Sequence, residues 1–188
     1  MIPVIDFKSE TVLDEIREAY TTVGFAVFTN TLSSYDQMIM AIWFDDMKKF
    51  FQLPLDKKKK YSYQSETNLG YSVMGAENVD PTAPSDMKES FNYNNTRMDK
   101  SLWPTEIEEF DKVALESIRI ADDLTMRILE KFDTILGCGT TLVDAHKEPY
   151  NTTRIIHYPA YTGELEPNQM RIGEHSDYGT ITLLWQIN

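Results

Sequence analysis

Downstream of Pro104, apolar residues return every three or four positions, at Phe110, Ala114, Ile118, Ala121, Leu124, Ile128 and Phe132, until Gly137 interrupts them. That spacing is one face of a helix, with a proline to open it and a glycine to close it. A helix this long with a single apolar stripe has to lay that stripe on another layer, so the pattern predicts a central helix supporting a sheet. On either side of it the character of the chain differs. Upstream, "IPVIDF" reads as a short buried strand. Residues 9–23 then carry Val12, Leu13, Ile16, Ala19, Tyr20 and Val23 at helical spacing. "GFAVFTN" (24–30) is a second β-type run. Ser33 or Ser34 can cap a further helix whose buried face is Ile39, Ile42, Met47 and Phe50, and Leu53-Pro54 ends it. Across residues 61–103 no period persists. Gly70, Gly75, Pro81 and Pro84 punctuate a long ordered loop with a short strand around "ESFNY". After Pro149, "TTRIIHYPAY", "MRIGEHSDYG" and "TITLLWQI" read as strands between turns. No internal repeat, low-complexity tract or flexible linker interrupts this order.

Composition narrows the function classes. A net charge of −12 repels a phosphate backbone, which argues against a nucleic-acid partner. The run Lys57-Lys58-Lys59-Lys60 is the local exception, an anion patch or, as the favoured reading, the solvated face of a short helix after Pro54. No stretch approaches the roughly 18 apolar residues of a membrane span, and "MIPVIDF" lacks the layout of a signal peptide, so the expectation is a cytoplasmic protein without a membrane partner. The single cysteine, Cys138, cannot form an internal disulfide, and Gly137 and Gly139 beside it suggest a loop thiol.

The chemistry-bearing residues are His175 and Asp177. On an extended strand, positions i and i+2 share a face, so an imidazole nitrogen and a carboxylate oxygen can aim at one point. A histidine and a carboxylate with open positions suit a non-haem Fe(II) centre of the two-histidine, one-carboxylate type. Spacing alone does not single them out, because His146-Lys147-Glu148 repeats it in a polar connection where a solvated pair is expected. Context separates the two: Gly173 and Gly179 flank Asp177, and "TITLLW" continues as a β-branched run.

"HYP" at 157–159 followed by "GEHSDYGTITLLWQ" resembles the iron-binding half of the 2-oxoglutarate-dependent Fe(II) dioxygenases of the isopenicillin N synthase type. "IPVIDF", "VGFAVFTN", "KKFFQLP", "LGYSV" and "MKESFNY" occur in the order found in that family's N-terminal region, so the likeness covers nearly the whole chain. The resemblance implies a mixed α/β chain. An N-terminal α/β region (1–103) and a long central helix with its connection (104–148) would be followed by the start of a double-stranded β-helix, or jelly-roll, oxygenase core (149–188). It implies Fe(II) held by His175 and Asp177, with Tyr158 on the carboxylate of co-substrate or substrate. O2 and 2-oxoglutarate would be consumed, with ascorbate as a possible reductant, to hydroxylate or otherwise oxidise a small molecule. If Tyr158 faces the site, His157 faces away and is structural. Ile156 stands where many plant members carry asparagine.

The family's second metal histidine and its Arg-x-Ser follow the aspartate by a few dozen residues, and neither occurs here. The expectation is therefore an incomplete chain that stops within the barrel, inactive alone and prone to self-association through the open edge of "TITLLWQI". Two alternatives stay open: a non-catalytic pseudoenzyme or binding protein that keeps the N-terminal region, and a family member that, like isopenicillin N synthase, does not use 2-oxoglutarate.

Overall fold

In the computed structural model, residues 1–77, 84–148, 151–160, 163, 166–167, 169–177 and 179–187 are described. Pro81 and Pro149, read as breaks, and Tyr161 and Tyr178, read within strands, lie outside them. The elements in order are β1 (Val4–Asp6), α1 (Val12–Thr22), β2 (Val27–Thr29), α2 (Ser34–Gln52), α3 (Leu55–Lys58), β3 (Gly70–Ser72), β4 (Glu89–Tyr93), α4 (Phe110–Leu136), α5 (Thr141–Ala145) and β5 (Thr153–His157). They group into two compact units, Met1–Ala41 with Arg119–Tyr150, and Ile42–Ile118 with Asn151–Asn188. No helix among the described residues is long and apolar enough to cross a membrane.

In the first unit β1 and β2 pair in parallel, Val4 to Val27 through Asp6 to Thr29. Parallel neighbours need a crossover, and α1 supplies it. Val12, Ile16 and Ala19 form its buried stripe against Ile5, while Tyr20 meets Phe132 edge-on at 4.9 Å. Val23, expected on that stripe, is exposed because the helix has ended and Gly24 turns the chain at φ +79°. Ser33 caps α2: its hydroxyl accepts the Asp36 N–H at 3.1 Å and donates to the Asp36 carboxylate at 2.6 Å.

The buried apolar positions along α2 are Met40, Trp43, Met47 and Phe50, so Ile39 and Ile42 are corrections: the stripe runs one residue out of the expected phase early in the helix, where Trp43 takes the core position. Pro104 does not open α4. Residues ahead of Phe110 are held elsewhere, with the Thr105 N–H donating to the Tyr61 hydroxyl at 3.0 Å and Tyr61 donating to Glu106, and Glu109 turns the chain into the helix at φ +55°. Gly137 closes α4 at φ +66°, a left-handed conformation that costs glycine little.

The second unit is organised by β4, antiparallel to β3 on one side and β5 on the other. All five of its residues are buried, so both faces are covered. Phe91 and Tyr93 face an aromatic cluster, with Phe50 at 4.9 Å from Phe91 and Trp43 at 5.1 Å from Tyr93. Burying each Phe here stabilises by about 2–3 kcal/mol. The loop read over 61–103 contains β3, which sequence periodicity did not reveal. Gly70 starts it at φ +100°, with a hypothetical Cβ only 2.8 Å from the carbonyls of Tyr61 and Ser62, so no other residue fits.

The lysine run departs from a purely solvated face. Lys57, Lys59 and Lys60 are exposed, but Lys58 is buried and sits 2.7 Å from Glu89. Glu89 also accepts from Tyr71, and from His157 Nδ1 at 2.8 Å. Burial pushes the Glu89 carboxyl up, but the bonds from Lys58, Tyr71 and His157 outweigh it and hold it below the ordinary carboxylate value.

Residues 170–187, expected as two strands, form none among the described residues. A strand is stabilised by its ladder, and no described partner strand bonds to this stretch. A period-2 trace survives, with Ile181, Leu183 and Trp185 half-buried and Leu184 84% exposed.

The Glu89 cluster generates a prediction. Lys58→Met leaves a buried carboxylate without its cation and should destabilise the chain by about 3 kcal/mol in denaturant titration at neutral pH. Because the folded-state pKa of Glu89 is lowered, its stabilisation is present above the ordinary carboxylate range and lost as acid titrates it through the lowered value. Lys58→Met should therefore flatten the loss of stability on acidification; an unchanged acid profile would contradict this account.

Candidate functional site

His175 and Asp177 come together, though not by strand geometry. His175 Nε2 lies 3.5 Å from Asp177 Oδ1, with side chains 41% and 52% exposed. Each is oriented through its other polar atom. His175 Nδ1 is 2.9 Å from the Gly173 carbonyl; since a carbonyl can only accept, that nitrogen carries a proton, and in the neutral ring Nε2 is then the one with the lone pair. Asp177 Oδ2 accepts from the Thr182 hydroxyl, leaving Oδ1 toward the histidine. Hydrogen bonds that fix the tautomer and the carboxylate in this way are the usual outer partners of metal ligands. A 3.5 Å separation of nitrogen and oxygen donors can be spanned by two ligand bonds of about 2.1 Å, so the pair fits an ion of the Fe(II) kind. No third histidine, cysteine or carboxylate joins them among the described residues.

Tyr158 follows the last residue of β5 and lies among charges. Burial raises its phenol pKa, Asp86 and Glu77 add to that, and Arg154 and Arg171 oppose it. His157, its neighbour, points to the aromatic face of the sheet, where its ring is 5.2 Å from Phe51 and bonded to Glu89. Ile156 pairs with Ser90 across the ladder.

Other candidates stand apart. His146 Nδ1 donates to the Leu142 carbonyl at 2.7 Å just past α5, and Glu148 is exposed. Cys138 donates to Asp133 at 3.0 Å, and that carboxylate raises the thiol pKa above its ordinary value, which keeps the sulfur protonated. In the first unit an open groove lined by Ser33, Asp36, Arg119, Asp123 and Arg127 contains none of the expected site residues.

The polar face of β4 holds residues that sequence reading passed over. Ser90 and Glu77 share a 2.8 Å bond, Arg154 reaches Glu77 at 3.0 Å and Asn92 at 3.0 Å, and Lys88 lies 3.1 Å from Asp86 and 3.3 Å from Glu77. Asp86 in turn accepts the Gly173 N–H at 3.1 Å. The only sequence signal for these residues is charge immediately ahead of a β-type run, in "SDMKESF", and it does not reveal that Lys88 is buried.

Comparison with known proteins identifies the family. The family model described as non-haem dioxygenase in morphine synthesis, N-terminal, matches residues 2–108. The chain is 30% identical to the 2-oxoglutarate-dependent dioxygenase htyE of Aspergillus rugulosus, over 92% of this chain and 57% of that protein. It is 28% identical to the proline hydroxylase buaE of Petromyces alliaceus, over 95% and 59% respectively. Among solved structures, a full-length Neurospora crassa protein in complex with alpha-KG and thymine superposes with a TM-score of 0.77 at 27% identity, over 95% of this chain and 62% of that one. The chain thus spans about three-fifths of the length of these relatives. With more than half of its residues inside the family model, and relatives of this kind aligned along nearly all of it, the chain belongs to the 2-oxoglutarate- and Fe(II)-dependent non-haem dioxygenase family.

Proposed function

We propose that this protein serves a non-haem Fe(II), 2-oxoglutarate-dependent oxidoreductase activity that hydroxylates, or carries out a related oxidation of, a small molecule. The observation that carries the reading is the His175–Asp177 pair, 3.5 Å apart with each outer atom already hydrogen-bonded. The names of the relatives support 2-oxoglutarate as co-substrate, since htyE is called a 2-oxoglutarate-dependent dioxygenase and the Neurospora crassa structure holds alpha-KG. In this reading residues 1–103 are the N-terminal region, 104–148 the supporting helix and its connection, and 149–188 the beginning of a jelly-roll oxygenase domain. The match over residues 2–108 is consistent with that division.

Bound iron supplies the redox chemistry, coupling O2 and the decarboxylation of 2-oxoglutarate to succinate and CO2 with oxidation of a substrate C–H bond. The chain's own residues hold and orient. Gly173 holds a His175 proton on Nδ1, which in the neutral ring leaves Nε2 as the nitrogen with a lone pair to offer. Asp177 contributes negative charge, with Thr182 fixing the carboxylate's rotation. Tyr158, its phenol held protonated by burial and by Asp86, can donate to a carboxylate oxygen of co-substrate or substrate. Ascorbate enters only as a reductant that keeps the metal ferrous.

In protein that turns over 2-oxoglutarate, Asp177→Ala should abolish Fe(II)-dependent succinate release and Asp177→Asn should fail with it, because the ligand supplies charge as well as geometry. Glu148→Ala, at the other His-x-acid pair, should stay close to wild type. Equal losses at Asp177 and Glu148 would sink the assignment. A second expectation concerns the metal-free chain: long-range nitrogen–proton NMR above neutral pH should show His175 as the Nδ1–H tautomer, the minor form of free imidazole. An Nε2–H signal would mean that the ligating nitrogen is blocked.

A further inference from the structure

The chain before His175 is moored to the entry of β4 by two bonds from consecutive residues. The Met87 N–H donates to the Met170 carbonyl at 3.1 Å, and the Gly173 N–H donates to Asp86 Oδ1 at 3.1 Å. Asp86 is itself held, because its other oxygen lies 3.1 Å from Lys88 Nζ in a side chain only 1% exposed. Lys88 is anchored further by Glu77 at 3.3 Å, and Glu77 is tied to β4 and β5 through Ser90 and Arg154. A buried ammonium without partners is strongly unfavourable, so this arrangement leaves Asp86 little freedom to rotate.

Gly173 sits between the mooring and the metal pair. Its N–H is taken by Asp86 and its carbonyl by the His175 ring. A glycine left free samples backbone conformations closed to other residues, and clamping it at both polar atoms removes that freedom where the histidine's direction is set. We propose that Asp86, locked by Lys88, is a positioning residue: through Gly173 it fixes the plane of the His175 ring and so tunes how tightly the His175–Asp177 pair holds a divalent metal. The metal part of this inference rests on the proposed function; the mooring itself does not.

The test uses variants that separate the hydrogen bond from the charge. Asp86→Leu combined with Lys88→Met removes both charges together, so neither is left buried alone, and it deletes the acceptor for Gly173. Asp86→Asn keeps an acceptor oxygen and drops only the ion pair. Co(II) binding to the metal-free chain is read by calorimetry and by visible absorption, amide exchange at Gly173 by NMR, and folding by thermal unfolding. The double variant should accelerate Gly173 exchange and weaken Co(II) binding by about tenfold, the scale at which outer partners of metal ligands act. Asp86→Asn should unfold at lower temperature yet bind Co(II) within about threefold of wild type, since the bond to Gly173 survives. A purely structural role predicts that affinity and stability fall together. Gly173 exchange unchanged in a folded double variant would overturn the mooring, and so would tenfold weaker Co(II) binding by a folded Asp86→Asn with Gly173 still protected. His175→Ala is the control: if it leaves Co(II) binding intact, the proposed metal pair is wrong, while Gly173 exchange still decides the mooring.

Discussion

Glu89 is the point from which the second unit can be understood. One buried carboxylate takes Lys58 from α3 at 2.7 Å, the Tyr71 hydroxyl from β3 and His157 from β5 at 2.8 Å. A carboxylate buried alone would be driven to protonate, but three donors from separate elements keep it charged. The same requirement fixes the elements, because each donor has to arrive for the charge to be tolerated. The Lys58–Glu89 attraction need not exceed the desolvation of the two groups for this to hold; its effect is to select one arrangement over others.

β4 carries that carboxylate and divides the chemistry of the sheet by alternation. Glu89, Phe91 and Tyr93 turn to the face with the aromatic rings, while Ser90 and Asn92 turn to the opposite face with Glu77 and Arg154. The polar face continues toward the site through Lys88 and Asp86, and Tyr158 lies within the field of the same charges. His157 and Tyr158, adjacent in sequence, consequently do different work: the first closes the buried cluster and the second stands beside the polar one.

The candidate metal pair is less enclosed than the clusters that support it. His175 and Asp177 lie in a stretch without ladder bonds, and their orientation comes from Gly173 and Thr182 rather than from a sheet. Two exposed candidate ligands on an irregular segment are only as well directed as that segment. In the described residues it is held by Met87 and Asp86. The relatives named as 2-oxoglutarate-dependent dioxygenases are longer than this chain, which spans 57% of htyE.

The sequence by itself determined whatever depends on neighbours within a turn or two. The stripes of α1 and α4, the Ser33 cap, the Gly137 stop and the β1 and β2 runs were all legible, because helix period, capping and glycine conformation act over a few residues. Only the tertiary structure decided which of four consecutive lysines would be buried, since that follows from Glu89 being 31 positions away. It likewise decided that Lys88 has no solvent, that Gly70 opens a strand against the Tyr61 and Ser62 carbonyls, and that α4 waits until Phe110. The bond of Gly173 to Asp86 joins residues 87 positions apart. Charge pairing and ladder bonds of this kind carry no local period. Their energies depend on who is brought alongside, and a burial cost that no single residue displays is settled only when the partners meet.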